Sequence, residues 1–194
     1  MRVVDHDRNI KESYSALSRF QKAIFLCLVC ERQYPVYVQY ADGKDWANIS
    51  GLRQLLNECW EWSISFGRAP SPSMPNSHDF LKVVGGLAGV GLEADPFWSI
   101  EYLIDFIVNQ EGNLAGYSAE KGTIIIDAYL DEYKYFDVEI MESKALIDHH
   151  PLMVQEMRRQ NDDMQHVQRE NWKLIDWQDV RKQVVGQSVL TLRV

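Results

Sequence analysis

Apolar residues in the first third of the chain recur at three- and four-residue spacing, which is the period of a helix face. One such pattern predicts a helix over residues 14–33. A second pattern predicts a helix that begins at Asp45, as its N-cap, and ends near Gly67. The apolar positions are Leu17, Phe20, Ile24 and Leu28 in the first helix, and Ile49, Leu52, Leu56 and Trp60 in the second.

The second half of the chain continues the helical pattern. Asp95-Pro96 reads as an N-cap followed by a first helical residue, and the stripe after it predicts a helix to Asn109. Ser118 is the expected cap of a further helix, although the run Ile124-Ile125-Ile126 would also suit a strand. Pro151 is well placed at a helix start, and no Gly or Pro interrupts residues 152–185, which predicts one long helix or two abutting ones.

The start of this last helix is polar nearly all round. It is therefore expected to protrude, or to pack only on a narrow stripe of apolar residues, and oligomer contact is one use for such a helix. The stripe consists of Met153, Met157, Met164 and Val167.

These elements predict an all-α fold, a single-domain bundle of about six to eight helices with a long C-terminal helix. The one domain spans residues 1–194, and 46% hydrophobic content is enough to build its core. Residues 1–12 are expected to form a flexible N-terminal arm, residues 67–77 a Pro/Ser-rich loop, and residues 186–194 an extended tail.

The apolar runs and the cysteines bear on location. The longest apolar run, Ala23 to Cys30, is too short to cross a bilayer, and the N-terminal residues lack the apolar stretch of an export signal. Three cysteines cannot all pair, which is typical of a reducing compartment. We therefore expect a cytoplasmic protein that does not associate with membranes.

The net charge of −8 is unevenly distributed. Residues 93–148 carry thirteen acidic residues and three lysines, so this block has a charge of −10 and the rest of the chain +2. An acidic surface repels phosphate backbones, which disfavours nucleic acid as a ligand and favours a basic protein partner. The alternative is that the acidic residues only form solvated helix faces.

Pro35 follows the first predicted helix, and the charged pair Glu31-Arg32 lies just before it. A proline lacks the backbone donor and disfavours helical geometry at the preceding residue, so the helix is expected to stop or kink there. Glu31 would then lie in a last turn, where a carboxylate opposes the helix dipole and requires a compensating partner, whereas Arg32 is favoured.

Two interpretations of this region remain open. In the structural one, a buried ion pair or a tyrosine hydrogen bond fixes the turn; in the functional one, the residues line a pocket in which Arg32 holds an anionic group and Glu31 acts as a base or metal ligand. The candidate residues are Glu31, Arg32, Tyr34, Tyr37, Trp60 and Glu61.

Other chemistry is weaker. Asp162, His166 and Glu170 share one helix face and are weak metal-ligand candidates, but the repeated motifs of a di-iron bundle are missing, so no metal or cofactor is expected. Cys27-x-x-Cys30 lies inside the most apolar run without basic neighbours, which favours core packing over redox or zinc chemistry. We recognise no catalytic constellation, and we predict no catalytic residues.

The stretch Cys30-Glu31-Arg32-x-Tyr34-Pro35-x-Tyr37 resembles the YjaG-like family of bacterial proteins, grouped as domain of unknown function 416. The similarity continues through Trp60-Glu61, Gln155-Glu156 and the tail GQSVLTLRV. This resemblance implies a small, helical, cytoplasmic protein with no established activity, and it supports helix over strand at residues 124–126.

Two functional hypotheses follow. The first is a non-enzymatic protein-binding or self-associating module that uses an acidic face, in one version to mask a basic protein partner. The alternative is a small-ligand or metal-binding protein, or an enzyme, that uses the Glu31/Arg32 cluster.

Overall fold

The structure is a computed structural model that describes residues 2–44, 47–65, 94–109, 117–132, 146–169 and 171–191. Within these ranges the fold is all-α, as expected, and residues 124–126 are helical. The expected loop at 67–77, Asp45 and Gly67 lie outside the described residues.

Seven α-helices occur in the described part of the chain. They are α1 (Val3–Ser15), α2 (Arg19–Ala41), α3 (Ile49–Ile64), α4 (Ala94–Asn109), α5 (Tyr117–Glu132), α6 (Pro151–Gln168) and α7 (Trp177–Val184). A short 3-10 helix, Trp172–Leu174, precedes α7, and residues 146–149 are also helical.

Local signals explain most helix starts. Gln21 Oε1 accepts the backbone N–H of Ser18 at 2.9 Å at the start of α2, and Asn48 Oδ1 accepts that of Gly51 at 2.9 Å at the start of α3. His150 is the N-cap of α6, whose first residue is Pro151, as expected. The expected caps Asp95 and Ser118 are wrong, because both lie inside helices that begin one residue earlier.

Helix α2 is the centre of the bundle and packs against α3, α4, α5 and α6. All eight side chains from Ala23 to Cys30 have no exposed surface, which explains why this run carries no polar residue. Cys27, Cys30 and Cys59 are all free and buried in this core. Burial of apolar surface contributes about 25 cal/mol per Å², so this run stabilises the fold.

The N-terminal residues form a helix where a flexible arm was expected. Helix α1 contacts α5 and α6, and His6, Ile10 and Tyr14 are buried along one side of it. A polar residue, His6, occupies one of these core positions and weakens the apolar pattern. The sequence therefore did not predict this helix.

The expected stop at Pro35 is wrong, because α2 continues for six residues beyond it. Pro35 still removes one backbone donor from the helix. On the turn before it, the carbonyl oxygen of Arg32 accepts a hydrogen bond from the backbone N–H of Val189 at 3.1 Å. The C-terminal segment therefore contacts α2 directly on the turn before the proline.

Of the two possibilities for residues 152–185, the structure shows two successive helices and not a single long one. Helix α6 ends at Gln168, and the Asp176 side chain accepts the backbone N–H groups of Gln178 and Asp179, which starts α7 as a separate helix. The Trp177 indole donates to the Trp172 carbonyl oxygen at 2.9 Å and fixes the turn between them. The chain leaves the helical conformation between α6 and α7 without a Gly or Pro, because the capping aspartate and the two buried tryptophans stabilise the turn.

Helix α6 does not protrude. The four residues of the apolar stripe are buried, as expected, but Glu156, Arg159, Gln160 and Asp163 are buried too. The polar face of this helix is therefore an internal face whose charges have partners inside the protein.

Residues 186–191 form turns that pack on the core, whereas an extended tail was expected. Val189 has no exposed surface and joins an apolar cluster with Val36, Ile126 and Met153. Arg159 donates through Nη1 to the Ser188 carbonyl oxygen at 3.1 Å and through Nη2 to that of Thr191 at 3.3 Å. This segment, which we call the C-terminal clasp, therefore belongs to the folded core.

The helices of the described residues are not long and apolar enough for any of them to cross a bilayer.

Candidate functional site

Glu31 and Arg32 are both 1% exposed, and neither faces the other. Consecutive helix positions point in directions about 100° apart, so the two side chains meet different elements. Glu31 turns toward α3 and α7, and Arg32 turns toward α6. The sequence-predicted pair is therefore two separate ionic clusters.

In the Glu31 cluster, one carboxylate holds two guanidinium groups. Arg53 donates through Nη1 to Oε2 at 2.7 Å and through Nη2 to Oε1 at 2.6 Å, which is a bidentate pair. Arg181 Nε donates to the same Oε1 at 3.3 Å. Asn57 Oδ1 accepts from Arg53 Nε at 3.0 Å and also from Arg181 Nη2.

In the Arg32 cluster, one guanidinium holds two carboxylates. Arg32 Nη1 lies 2.6 Å from Asp163 Oδ2, and Arg32 Nε lies 3.4 Å from Glu156 Oε2. Burial raises the pKa of Asp163 above its usual range, and the Arg32 guanidinium opposes that rise. Gln160 Nε2 donates to Glu156 Oε1 at 3.0 Å and its oxygen lies 3.0 Å from His6 Nε2.

Close approach of α5 completes the Arg32 cluster. A Cβ on Gly122 would lie 3.0 Å from both Gln160 Nε2 and Glu156 Oε1, which is tighter than ordinary contact. Glycine at this helix position therefore lets the α5 backbone come close to the buried polar groups of α6.

The other sequence candidates are distributed around these clusters. Tyr34 donates its hydroxyl to the Ile49 carbonyl oxygen at 3.0 Å, and Tyr37 is buried with its ring 6.3 Å from that of Phe97. Trp60 is buried beneath Arg181, with 5.6 Å between the guanidinium and the ring centre. Glu61 is exposed and accepts from Gln178 Nε2 at 3.4 Å. The geometry favours the structural interpretation of this group, with ion pairs and a tyrosine hydrogen bond in place of a shared pocket.

Metal chemistry gains no support from the described residues. Asp162 is exposed and His166 is half-buried on α6, while Glu170 lies outside the described residues. No group of three His, Cys, Asp or Glu side chains that could hold a metal ion occurs in the described ranges. Burial raises the pKa of Cys27 to about 12, so this thiol stays protonated and is a poor nucleophile or metal ligand.

A pocket of about 390 Å³ lies between α1, α5 and residues 147–153. Three carboxylates, those of Asp7, Asp127 and Asp148, line it together with Arg2. Its remaining walls are mostly apolar, and this acidic pocket thus combines negative charge with hydrophobic surface. The apolar lining residues are Val3, Val4, Ile124, Ile147 and Met153.

Asp7 is the unusual carboxyl of the acidic pocket. Burial raises its pKa to about 7, and the nearby Glu120 adds to the rise, whereas Lys11 and a hydrogen bond with Thr123 oppose it. Its Oδ1 atom is buried and accepts no hydrogen bond within the described residues. A carboxyl that changes charge near neutral pH, at the wall of a pocket, marks a candidate binding position.

Sequence reasoning did not identify the acidic pocket. Asp7 precedes Ile10 by three residues and Tyr14 by seven, so it sits in the apolar register of α1, which is the one signal that was present. Asp127 and Asp148 belong to the acidic block, but nothing in their spacing indicated that α1 would bring Asp7 to them.

Comparisons with known proteins agree with the architecture. Residues 9–67 match the family described as protein of unknown function DUF416. The chain is similar in fold to a crystal structure of a DUF416 family protein from Shewanella baltica OS155, with a TM-score of 0.75 and 16% sequence identity, over 95% of this chain and 98% of that one. The comparison with curated proteins gives no match. The resemblance to the DUF416 family is therefore confirmed, in sequence over residues 9–67 and in fold by that similar structure.

Proposed function

We propose that this protein is a non-enzymatic binding module that takes a basic, partly apolar segment of a protein partner in the acidic pocket. The observation that carries the proposal is the combination of three carboxylates with apolar walls in one pocket of about 390 Å³. A lysine or arginine side chain has the matching chemistry, because a charged head follows an apolar stem.

The charge of the acidic pocket supports a cationic ligand. Arg2, the one basic residue among the described lining residues, is already paired with Asp5, at 2.9 Å between Arg2 Nε and Asp5 Oδ2. Asp127 and Asp148 also belong to the acidic block of residues 93–148. Electrostatic steering of a basic partner would follow from this arrangement.

The apolar part of the surface supports a macromolecular ligand. Val4 is 56% exposed and Ile124 is 42% exposed, and both lie at the acidic pocket. Leu146, next to the lining residue Ile147, is 46% exposed. Exposed apolar side chains grouped at one pocket are typical of an interaction surface.

The test uses a fluorescein-labelled peptide of alternating lysine and leucine, with fluorescence anisotropy at low and moderate salt. We expect saturable binding that weakens as salt rises, because the charges are partly exposed. Binding should strengthen as the pH rises through about 7, because Asp7 ionises there. Asp127→Asn should weaken binding by about threefold, in line with the loss of one exposed ion pair.

Asp131→Asn is the matched control, because Asp131 is exposed on the same helix, one turn away, and does not line the pocket. It should leave the affinity unchanged. Absence of saturable binding, or equal effects of the two substitutions, would overturn the proposal. If butylamine binds as tightly as the peptide, the pocket is a site for small amines. If sedimentation shows a dimer that does not bind the peptide, the pocket is a self-association surface.

A further inference from the structure

A second pocket, of about 450 Å³, lies between α3 and α7 and has the opposite chemistry. We call it the basic groove. Arg53, Arg181 and Lys182 line it, together with Asn57, Gln178 and Val185. The proposed function does not use this groove.

Among the described residues, the floor of the basic groove carries more basic than acidic groups. Arg53 and Arg181 share the single carboxylate of Glu31, and both contact its Oε1. Lys182 at the rim is paired with Asp179 at 2.6 Å, and both of these side chains are mostly exposed. Glu61 lies at one end, where it accepts from Gln178. Within the described residues, the two guanidinium groups at the floor of the groove therefore have one carboxylate between them.

The two guanidinium groups are held in position before any ligand arrives. Arg53 lies over the Tyr34 ring at 5.0 Å, and Arg181 lies over the Trp60 ring at 5.6 Å. The Asn57 side-chain oxygen accepts from both of them. Side chains fixed in this way lose little conformational entropy when they bind an anion.

Both arginines remain accessible from the basic groove. The Arg53 side chain is 24% exposed and that of Arg181 is 16% exposed. Arg181 Nη1 donates no hydrogen bond within the described residues. A partly buried guanidinium with an unused donor attracts an oxyanion strongly, because the surroundings screen the charge less than water does.

We propose that the basic groove is a binding site for an oxyanion, a phosphate or a carboxylate group, with Arg181 as the main donor, supported by Arg53 and Lys182. Glu31 acts as the positioning residue that holds both arginines on the floor of the groove. The site lies on elements other than those of the acidic pocket, so the two proposals stand or fall separately.

The experiment records the NMR signals of the arginine Nε–Hε groups while inorganic phosphate or acetate is added at constant ionic strength, with chloride as the reference. We expect saturable shifts of the Arg53 and Arg181 signals with at least one of the two anions, and the anion that binds more tightly identifies the class of ligand. Arg181→Gln should weaken this binding at least tenfold. Glu31 keeps its bidentate pair with Arg53 in this variant.

Arg158→Gln is the matched control, because Arg158 is exposed on α6 and does not line the groove. It should bind the anion as the unchanged protein does. Lys182→Gln changes only an exposed residue at the rim, so this variant can replace Arg181→Gln in the test if Arg181→Gln fails to fold. It should weaken anion binding about threefold. Shifts no larger than those with chloride, or equal affinities for Arg158→Gln and the two groove variants, would overturn the proposal.

Discussion

At the residue scale, the adjacent residues Glu31 and Arg32 have opposite surroundings. Glu31 is one acid between two bases, whereas Arg32 is one base between two acids. The sequence drew attention to the pair but could not supply its partners, because Arg53, Arg181 and Asp163 are distant along the chain. Helical spacing offered one usable signal, since Glu156, Gln160 and Asp163 fall on one face of α6.

Arg32→Met tests the Arg32 cluster. The substitution leaves Glu156 and Asp163 without their guanidinium in a buried site, at 0% and 11% side-chain exposure. Removing one partner of a buried ion pair costs about 3 to 5 kcal/mol, so the free energy of unfolding should fall by that amount. Urea denaturation followed by far-UV circular dichroism measures it.

The control for Arg32→Met is Arg158→Met, because Arg158 lies on the surface of α6. An exposed substitution of this kind changes stability by less than about 0.5 kcal/mol. Similar losses in the two variants would show that the Arg32 cluster contributes nothing specific to the fold.

At the scale of the elements, helix existence was predictable where apolar residues followed a helical period. The cores of α2, α3 and α4 were found in this way, and the start of α6 was read from Pro151. Sequence rules failed where tertiary contacts override them. Helix α2 continues through Pro35. Polar residues of α6 are buried because they have partners elsewhere in the chain, such as Arg32 for Asp163.

Val189→Ala tests whether the C-terminal clasp belongs to the core. Val189 has no exposed surface, so the loss of two methyl groups should lower the free energy of unfolding by about 1 to 2 kcal/mol. The backbone N–H of Val189 donates a hydrogen bond to the Arg32 carbonyl oxygen. Hydrogen exchange at this amide should be faster in the variant, because the segment opens more often. Urea denaturation and amide exchange provide the two measurements.

Val185→Ala makes the same chemical change at a residue that is 50% exposed. Its effect should stay below about 0.5 kcal/mol. If the two valine variants lose stability equally, the clasp does not pack as described.

At the scale of the whole molecule, the spacing of apolar residues correctly indicated the all-α class of the described residues. The acidic pocket and the basic groove could not be predicted. Each joins elements that are distant in sequence, α1 with α5 in one case and α3 with α7 in the other. Periodicity identifies which face of a helix is buried, but it does not identify which helices become neighbours.

Thiol reactivity tests the integrity of the whole core. Cys27, Cys30 and Cys59 have no exposed surface, and burial raises the pKa of each thiol. Ellman's reagent should therefore leave all three thiols unmodified in the native protein and react with all three in concentrated guanidinium chloride. Rapid modification without denaturant would contradict the packing around α2.

The core cannot be completed during synthesis until the residues of the C-terminal clasp have been added. Helix α2 leaves the ribosome long before Val189 is made, so until then the Arg32 carbonyl lacks the Val189 donor. The apolar surface that covers Val189 stays open to water over the same interval. A polypeptide that ends before residue 186 would keep this opening permanently, and exposed apolar surface of that kind is what chaperones and proteases act on.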